Sequence, residues 1–541
     1  MMWGLNKVHR YLLAGACGVL AICISEAKAQ DLQSVQSQID DLKATIEELQ
    51  KQVADAKAQA ATAKPAAADS GKSDLDLKVK WKGAPEFSSA NGKFKLKLRG
   101  RVEAEYEHAD QDKRITSFPD LSATEIRRAR LGMEGVVYYD VKYIVEVDFA
   151  NDDTRVRDAY LQYQGVKLAD TPIYFRVGNF KTPNSFENIT SELYIDTLER
   201  AAFINAWELD RHIGFMTAYW TDHFGLAAGI FGEGGSQSTG SIANTPLFPG
   251  FIGDENLTFA ARATVAPINR ETNGVPQVLH FGASVRNRQT GNDQAFFQYR
   301  ARGADLHMTN FAVNTGRIVD EDTFWGLEAA ALWGPFSLQG EYGHTDVELP
   351  SGAFIRSNPP APGRLTTTPN PFSGVPNPEY AGWYVDGSWF FGGHKTYNQE
   401  GKWDRPKIDN PVRWGERGGW GALQIVGKYN VLDLSDNAFN AAGGCRNTQL
   451  YPGLSASSTV TLIAPSIGLC GEMKTWTVGA NWYLNEYVRL MFDYSESDLG
   501  DYPVTTIPAT VTNTTVPPGT SIFGFDGAVI RGFGMRAQVD W

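Results

Sequence analysis

The last ten residues of the chain, Gly532 to Trp541, alternate between apolar and polar side chains. Successive side chains of an extended strand point to opposite faces, so the apolar residues of this segment share one face. That face is formed by Phe533, Met535, Ala537, Val539 and Trp541. A strand with one apolar face that stops at an aromatic residue is typical of outer-membrane β-barrels. A half-buried edge strand of a soluble protein would have the same pattern, so the rest of the chain must decide.

The same alternation recurs in residues 93–106. Phe94, Leu96, Leu98, Val102 and Tyr106 share one face. The opposite face is charged throughout and consists of Lys93, Lys95, Lys97, Arg99, Arg101, Glu103 and Glu105. An apolar face opposite a charged one suits a wall with lipid outside and water inside.

Alternating segments follow one another to the end of the chain. The segments predicted to run in one direction are 93–107, 141–150, 172–179, 224–232, 277–288, 336–347, 418–432 and 487–497. Those predicted to run in the other direction are 126–139, 156–166, 211–221, 255–266, 322–333, 379–391, 474–484 and 527–541. The predicted fold class is therefore all-β: a transmembrane antiparallel β-barrel of about sixteen strands within residues 86–541.

The connections differ between the two ends of this predicted barrel. Those at one end are mostly tight, such as Gly334-Pro335 and Asn485-Glu486, and aromatic residues cluster beside them. Those at the other end are long and rich in Gly, Pro, Ser and Thr, as at 233–254 and 498–526. Short periplasmic turns, an interfacial aromatic girdle and long external loops are expected of such barrels.

Two connections depart from this rule. Residues 180–210, on the long-loop side, are too apolar for a loop in water, so we expect them to fold into the barrel and narrow it. Residues 392–417 lie where a short turn is expected, and they are rich in Lys and Arg. We expect this turn to enter the lumen from the periplasmic side. The alternative for each is an ordinary exterior loop.

The N-terminus predicts export. Lys7 and Arg10 precede an apolar run from Tyr11 to Ile24, and Ala27-Lys28-Ala29 has the pattern of a cleavage site. Residues 1–29 are therefore expected to be a signal peptide. The apolar run is too short for a spanning helix, which argues against a retained membrane anchor.

Residues 30–60 predict a periplasmic coiled-coil helix. Leu32, Ile39, Ile46 and Val53 occupy a positions of a heptad repeat, with Val35, Leu42 and Leu49 at d positions. A helix lying on a membrane surface is the alternative, but its polar face would be expected to be basic. Residues 61–85 have low complexity at their start and are expected to form a flexible linker.

Net charge and cysteine content bear on nucleic-acid binding and on disulfide formation. Removal of residues 1–29 would change the net charge from -12 to about -14, because they carry Lys7, Arg10 and Lys28 against Glu26. A chain this acidic is not expected to bind nucleic acid. Cys445 and Cys470 would remain in an oxidising compartment, where a disulfide is favoured over two free thiols.

The sequence contains no recognised catalytic or metal-binding motif, so we expect no enzyme, no cofactor and no metal site. The histidines after the signal peptide are scattered without metal-ligand spacing. A carboxylate cluster at 148–153 could bind Ca²⁺, but a solvated turn is the simpler interpretation.

Several segments resemble the phosphate-selective porin O and P family of outer-membrane proteins. They are Arg127-Arg-Ala-Arg-Leu131, Glu134-Gly135, Val177-Gly-Asn-Phe-Lys-Thr-Pro183, Glu199-Arg200, Arg211-His-Ile-Gly214, Trp333 to Tyr342, Gly382-Trp-Tyr384, Gly418-Gly-Trp-Gly-Ala422 and Asn481-Trp-Tyr-Leu484. The chain departs from the family pattern at Asn184 and Lys395, where Phe and Arg are expected.

The resemblance implies a trimer of sixteen-stranded barrels in outer-membrane lipid, each with a basic lumen that passes small anions such as phosphate. The implied anion pathway comprises Arg127, Arg128, Arg130, Lys181, Arg200, Arg211, Lys395, Lys402 and Arg405. Strand alternation also predicts that Arg128 and Arg130 point into the lumen. The alternative is that these cations pair with Asp and Glu and only make the loops rigid.

The sequence thus favours an outer-membrane porin, a passive diffusion channel whose N-terminal helix lies in the periplasm. Two other functions stay open. The barrel could be a structural protein that anchors the envelope through its coiled coil, or it could be a barrel enzyme. Conductance in planar bilayers distinguishes the first function from the other two.

Overall fold

The structure, a computed structural model, describes the chain from residue 77 to residue 541 with gaps, together with Glu47, Glu48 and Lys51. The gaps are 112–119, 153, 208, 233–256, 290–296, 352–353, 357–366, 371, 414–417, 443, 446–469, 502–504, 507–520 and 523–525. The chain divides into two units, residues 1–73 and 74–541. The signal peptide and nearly all of the coiled coil lie outside the described residues; Glu47, Glu48 and Lys51 are helical.

The described residues between 77 and 541 form mainly strands, with three short helices. Among all described residues, no helix is long and apolar enough to cross a membrane. The strands are β1 (Leu77–Lys82), β2 (Ala84–Ser89), β3 (Phe94–Gln111), β4 (Leu121–Val137), β5 (Val141–Asp148), β6 (Arg155–Leu168), β7 (Thr171–Lys181), β8 (Arg211–Trp220), β9 (Phe224–Gly232), β10 (Leu257–Thr272), β11 (Val275–Gln289), β12 (Arg300–Arg302), β13 (Phe311–Asn314), β14 (Glu321–Trp333), β15 (Phe336–Glu348), β16 (Phe354–Arg356), β17 (Thr367–Pro369), β18 (Glu379–Phe391), β19 (Gly393–Asn398), β20 (Lys402–Ile408), β21 (Ala422–Asp433), β22 (Glu472–Asn485), β23 (Val488–Gly500), β24 (Thr505–Thr506), β25 (Ser521–Ile522) and β26 (Ala528–Asp540). The helices are α1 (Phe186–Ile189), α2 (Ala202–Ala206) and α3 (Asn437–Ala441), with 3₁₀ turns at 150–152 and 303–305.

Sixteen of these strands form a closed antiparallel barrel, which confirms the predicted fold class. The barrel strands are β3 to β11, β14, β15, β18, β21 to β23 and β26, and each pairs with the next along the chain. The last strand, β26, pairs with β3 from Ile530 opposite Gln111 to Asp540 opposite Arg101. This pairing closes the sheet and leaves no free edge among the barrel strands.

The two faces of the wall differ as the sequence predicts. On β3 the side chains of Leu98, Val102 and Tyr106 are exposed on the outside, whereas Arg101 and Glu103 are buried inside. The same alternation holds along β26, so the terminal strand belongs to the membrane wall. Aromatic residues form an outer belt near the tight turns, including Tyr138, Trp333 and Trp482. A second belt near the long loops, with Trp325, Trp383 and Trp476, was not predicted.

The β10–β11 hairpin is longer than the sequence predicts. We expect strands at 255–266 and 277–288, but β10 continues to Thr272 and turns through Asn273-Gly274. Both turn residues have positive φ, 53° and 78°, as a two-residue turn that matches the strand twist requires. A register shift between Val265 and Ile268 accommodates Pro267 in the extended strand.

A short hairpin precedes the barrel. Strands β1 and β2 pair with each other, and β2 pairs with the start of β3 at Lys95 to Lys97. No strand is predicted there, because residues 61–85 are expected to be a linker. The hairpin extends the wall below the end of β26, where Trp541 packs against Gly100 of β3.

Candidate functional site

The connection between β7 and β8, residues 182–210, folds into the barrel as the sequence predicts. We call it the inward loop, and it contains α1 and α2. Its backbone reaches the opposite wall, where Asn481 donates a hydrogen bond to the Asp196 carbonyl at 2.7 Å and Arg489 donates to the Ile195 carbonyl at 2.8 Å. Phe186 and Trp207 are fully buried. The inward loop therefore crosses the lumen instead of extending into solvent.

The connection between β18 and β21 enters from the other end. Its strands β19 and β20 form a hairpin, which we call the inward hairpin. Arg262 on the barrel wall donates hydrogen bonds to the carbonyls of Glu400 at 2.9 Å and Gly401 at 2.7 Å, and so holds the tip. Arg176 adds an ion pair to the Glu400 carboxylate at 3.2 Å. The tip is thus fixed against the wall.

A third segment, residues 297–320, also lies inside the barrel, and the sequence analysis missed it. The backbone N–H groups of His307 and Met308 both donate to the Glu107 carboxylate, at 2.8 and 2.7 Å. The amide of Ala304 donates to the Ser497 hydroxyl at 2.7 Å. The sequence signal that could have predicted this is the apolar content of a segment between two long strands. It includes Phe297 and Tyr299, whose side chains are both buried.

These insertions fill the long-loop end of the lumen with an apolar core that includes Phe203, Trp207, Leu306 and Met473. Below the inward loop an open cavity of about 840 Å³ remains, which extends toward the tight turns. Ten basic side chains line it: Lys97, Arg99, Arg101, Lys142, Arg176, Lys181, Arg211, Arg262, Lys402 and Arg405. Eight acidic side chains face them: Glu134, Glu146, Asp158, Glu192, Asp222, Glu400, Asp404 and Asp540. The lining therefore has a small excess of positive charge.

The three arginines of β4 all lie on the lumen side and are all paired. Arg127 forms a two-pronged contact with Glu199 of the inward loop, at 2.9 and 3.2 Å. Arg128 contacts Glu103 at 2.5 Å, and Arg130 contacts Asp148 at 2.8 Å. Simple alternation would turn Arg127 toward lipid. A register shift between β3 and β4, with Glu103 opposite Arg128 and Ala104 opposite Ile126, leaves Arg127 as an extra residue and turns it inward.

Lys181, Arg200 and Arg211 converge on one carboxylate of the inward loop, Glu192. Its oxygens lie 3.8 Å from the Lys181 ammonium, 3.3 Å from Arg200 and 3.9 Å from Arg211. Arg101 and Arg130 approach it as well, at 3.1 and 3.5 Å. Burial favours the neutral acid, but Lys181, Arg200 and Arg130 hold the pKa of Glu192 well below its usual value. The sequence analysis did not identify Glu192.

The predicted cations of the inward hairpin are paired too. The Lys395 ammonium contacts Asp196 of the inward loop at 2.5 Å and lies 5.0 Å from the centre of the Trp403 ring. Lys402 pairs with Glu400. Arg405 pairs with Asp540 and lies over the Tyr487 ring at 4.4 Å. Of the nine predicted pathway residues, Lys181, Arg211, Lys402 and Arg405 line the cavity.

Two lysines that the sequence analysis did not select differ from these nine. Lys97 on β3 and Lys142 on β5 both line the cavity. Within the part of the chain that the structure describes, neither ammonium group has a carboxylate within ion-pair distance, although the Lys142 charge acts on Glu400. The alternating pattern of β3 placed Lys97 on the lumen face, but sequence alone could not show which lumen cations lack a counterion.

Two other features could carry chemistry, a pair of cysteines and clusters of carboxylates. The sulfur atoms of Cys445 and Cys470 form a disulfide, with Cα atoms 6.0 Å apart. Among the described residues, two groups have side-chain atoms close enough to share a metal ion: His344 with Asp346 and Glu379, and Glu105 with Glu107 and Glu125. Glu107 already accepts two backbone hydrogen bonds, and the first group lies on the outer rim.

Comparison with known proteins gives a family match over most of the barrel. A model of the phosphate-selective porin O and P family matches residues 96–515. Porin O of Pseudomonas aeruginosa is 24% identical over 447 residues, which cover 77% of this chain and 86% of that protein. An uncharacterized protein of Caulobacter vibrioides is 27% identical over 363 residues, covering 66% of this chain and 65% of that protein, just under two thirds of its length.

Solved structures similar to this chain include outer-membrane proteins. An anion-selective porin from Comamonas acidovorans has a TM-score of 0.43 and 12% identity, and the alignment covers 83% of this chain and all of that one (100%). OmpT of Vibrio cholerae, in a form with loop L8 deleted, has a TM-score of 0.42 and 11% identity, with coverage of 83% and 100%.

Proposed function

The chain belongs to the phosphate-selective porin O and P family, and we propose that it is an outer-membrane porin whose lumen passes small anions, phosphate among them. The observation that carries this proposal is the charge of the cavity. Ten basic and eight acidic side chains line it. The whole chain is acidic, with a net charge of -12, so the basic excess is a local property of the lumen.

Lumen cations that have no carboxylate within ion-pair distance supply most of the preference for anions. Paired cations present little net field to a passing ion, because each partner carboxylate opposes it. Lys97 and Lys142 have no carboxylate within ion-pair distance among the described residues, and both line the cavity. Their ammonium groups lower the barrier for an anion and replace part of its hydration shell with N–H donors.

The test is a reversal potential in a potassium chloride gradient across a planar bilayer. Wild-type channels are expected to favour chloride. Lys97→Glu combined with Lys142→Glu should move the reversal potential toward potassium. Lys167→Glu is the matched control, because Lys167 is exposed near a tight turn and does not line the cavity. A wild-type channel that favours potassium would overturn the proposal, and a folded barrel without conductance would favour the anchoring role.

The family resemblance also supports a homotrimer in outer-membrane lipid. The barrel carries a continuous apolar outer surface, part of which would be covered by neighbouring copies in such an assembly. Mass measurement of the detergent-folded protein by light scattering tests this, and a monomer that conducts ions would exclude an obligate trimer.

A further inference from the structure

The carboxylate of Glu192 has more cationic neighbours than one charge requires. Five basic groups lie within ion-pair distance of it: Arg101 at 3.1 Å, Arg200 at 3.3 Å, Arg130 at 3.5 Å, Lys181 at 3.8 Å and Arg211 at 3.9 Å. Four of them belong to the barrel wall, whereas Glu192 and Arg200 belong to the inward loop. The inward loop therefore places one negative charge within a cluster of cations, most of which lie on barrel strands.

The five cations depend on Glu192 to different degrees. Arg101 also contacts Glu103 at 3.5 Å, Arg130 contacts Asp148 at 2.8 Å, and Arg211 contacts Asp158 at 2.9 Å.

Among the residues that the structure describes, Lys181 and Arg200 have no second carboxylate within ion-pair distance. Their other contacts are backbone carbonyls. Lys181 donates to the carbonyls of Asn188 and Thr190, and Arg200 donates to those of Glu187 and Thr190. Neutralising Glu192 would leave these two cations without a carboxylate within ion-pair distance, although the charge of Asp210 still acts on Lys181 and that of Glu187 on Arg200.

The location is that of a binding site for a passing ion. Glu192, Lys181, Arg101 and Arg211 all line the upper part of the 840 Å³ cavity, directly below the point where the inward loop crosses the lumen. An anion entering from the tight-turn side reaches these groups at the inward loop. Carboxylate and phosphate oxygens accept the same charge-assisted hydrogen bonds from Lys and Arg.

We propose that Glu192 is a tethered counterion that occupies the anion site of the lumen, and that a permeating anion has to displace it. This inference rests on the proposed function, since it specifies how the same lumen is regulated. A group held on the same chain competes at an effective concentration in the millimolar range. The tethered carboxylate thus keeps the site from trapping an anion and lets ions leave, as conduction requires.

Glu192→Gln is the direct test, because it removes the charge with little change of shape. Block of chloride current by inorganic phosphate should occur at roughly tenfold lower phosphate concentration than in the wild type, since the tethered competitor is gone. Titration calorimetry of the detergent-folded protein with phosphate should show the same gain in affinity. An unchanged or weaker affinity would overturn the proposal.

Glu146→Gln is the matched control. Glu146 lines the same cavity and contacts Arg99 at 3.2 Å and Arg130 at 3.3 Å. Both arginines keep another carboxylate, Glu134 and Asp148 respectively, so this variant should gain much less affinity. An equal gain in both variants would mean that only total lumen charge matters, and would overturn a specific role of Glu192.

A second variant and the calorimetric measurement test the proposal if the first variant does not fold or if the channel is not anion-selective. If Glu192→Gln does not fold, Glu192→Asp retains the charge but shortens the side chain, and it should give a smaller gain; no gain would overturn the proposal. If wild-type channels prefer cations, the proposed function fails. The calorimetric comparison of wild type and Glu192→Gln then still decides whether Glu192 competes for the anion site.

Discussion

The ring of Phe186 lies 5.1 Å from the ring of Trp403, edge to face, inside the barrel. Phe186 belongs to the inward loop and Trp403 to the inward hairpin, so the two residues come from opposite ends of the barrel. Both side chains are almost completely buried, and the Trp403 indole also donates a hydrogen bond to Gln339 of the wall. The two insertions therefore brace each other across the lumen.

Trp403→Ala should enlarge the pore. The substitution removes the ring against which Phe186 packs, and large-to-small changes of buried aromatic residues cost about 3–5 kcal/mol. The inward loop and the inward hairpin are expected to separate, which raises single-channel conductance and adds brief current fluctuations. Trp389→Ala is the control, since Trp389 is 48% exposed on the outer surface. Equal conductance of Trp403→Ala and wild type would show that the narrowest point lies elsewhere.

Arg262→Gln should release the tip of the inward hairpin. Arg262 donates to two tip carbonyls and also pairs with Glu328, and hydrogen bonds from charged donors contribute about 1.5–3 kcal/mol each. Open-channel current noise is expected to rise. The double variant Arg262→Gln with Glu328→Gln also removes the carboxylate that has lost Arg262 and keeps only His280 as a neighbour, but it does not restore the tip contacts, so its current noise should stay high. If the current noise of the double variant falls back to that of the wild type, the increase in noise comes from the Glu328 charge and not from the lost tip contacts.

Most of the barrel could be predicted because each strand carries its own signal. Alternation along β3 and β26 fixes which face meets lipid, without reference to any other segment. The inward loop was predictable for a similar local reason, since residues 180–210 are too apolar for solvent. Strand β1 carries the same signal, because Lys78 and Lys80 alternate with Leu77, Val79 and Trp81, but its position beside a low-complexity segment led to its assignment to the linker.

The candidate site was only partly predictable, because pairing depends on residues far apart in the chain. Arg127 meets Glu199 through a strand irregularity that no alternation pattern reveals. The sequence identified Lys181 and Arg200 as pathway residues, but their common partner Glu192 became visible only when the loop was folded against the wall. Changing Lys181 and Arg200 to Glu would now place three carboxylates together, so neutral substitutions are better tests of selectivity.

The Cys445–Cys470 disulfide should protect both thiols from alkylation. Intact-mass analysis of the processed protein is expected to show no added label before reduction and two labels afterwards. Replacing both cysteines with serine should destabilise the connection between β21 and β22 by about 3 kcal/mol, because the bridge closes a loop of moderate length. Two labels before reduction would contradict the disulfide.

The final prediction uses two carboxyl groups of the inward loop whose pKa values shift in opposite directions. Burial raises the pKa of Glu187, which has Asp305 among its charged neighbours, despite the Lys428 charge and a hydrogen bond from the Ala201 amide. The pKa of Glu192 is held well below its usual value by surrounding cations, as described above. A raised pKa means that ionisation of Glu187 destabilises the folded loop as pH rises above about 4.3, the unfolded value. A lowered pKa means that Glu192 stabilises the loop above that pH, and that this contribution is lost as pH falls.

Glu187→Gln should therefore increase hydrogen-exchange protection of the inward loop at pH 7.5, whereas Glu192→Gln should decrease it. At pH values below about 4 the gain from Glu187→Gln should vanish, because wild-type Glu187 is then already protonated. The loss caused by Glu192→Gln should persist at pH 4 and diminish only in stronger acid, since its folded pKa lies well below the usual value. Pulse labelling of the inward loop at pH 7.5, at pH 4 and in stronger acid, followed by mass spectrometry, measures these changes in both variants. The same sign of change in both variants at pH 7.5 would contradict the assignment of opposite roles to the two carboxyl groups.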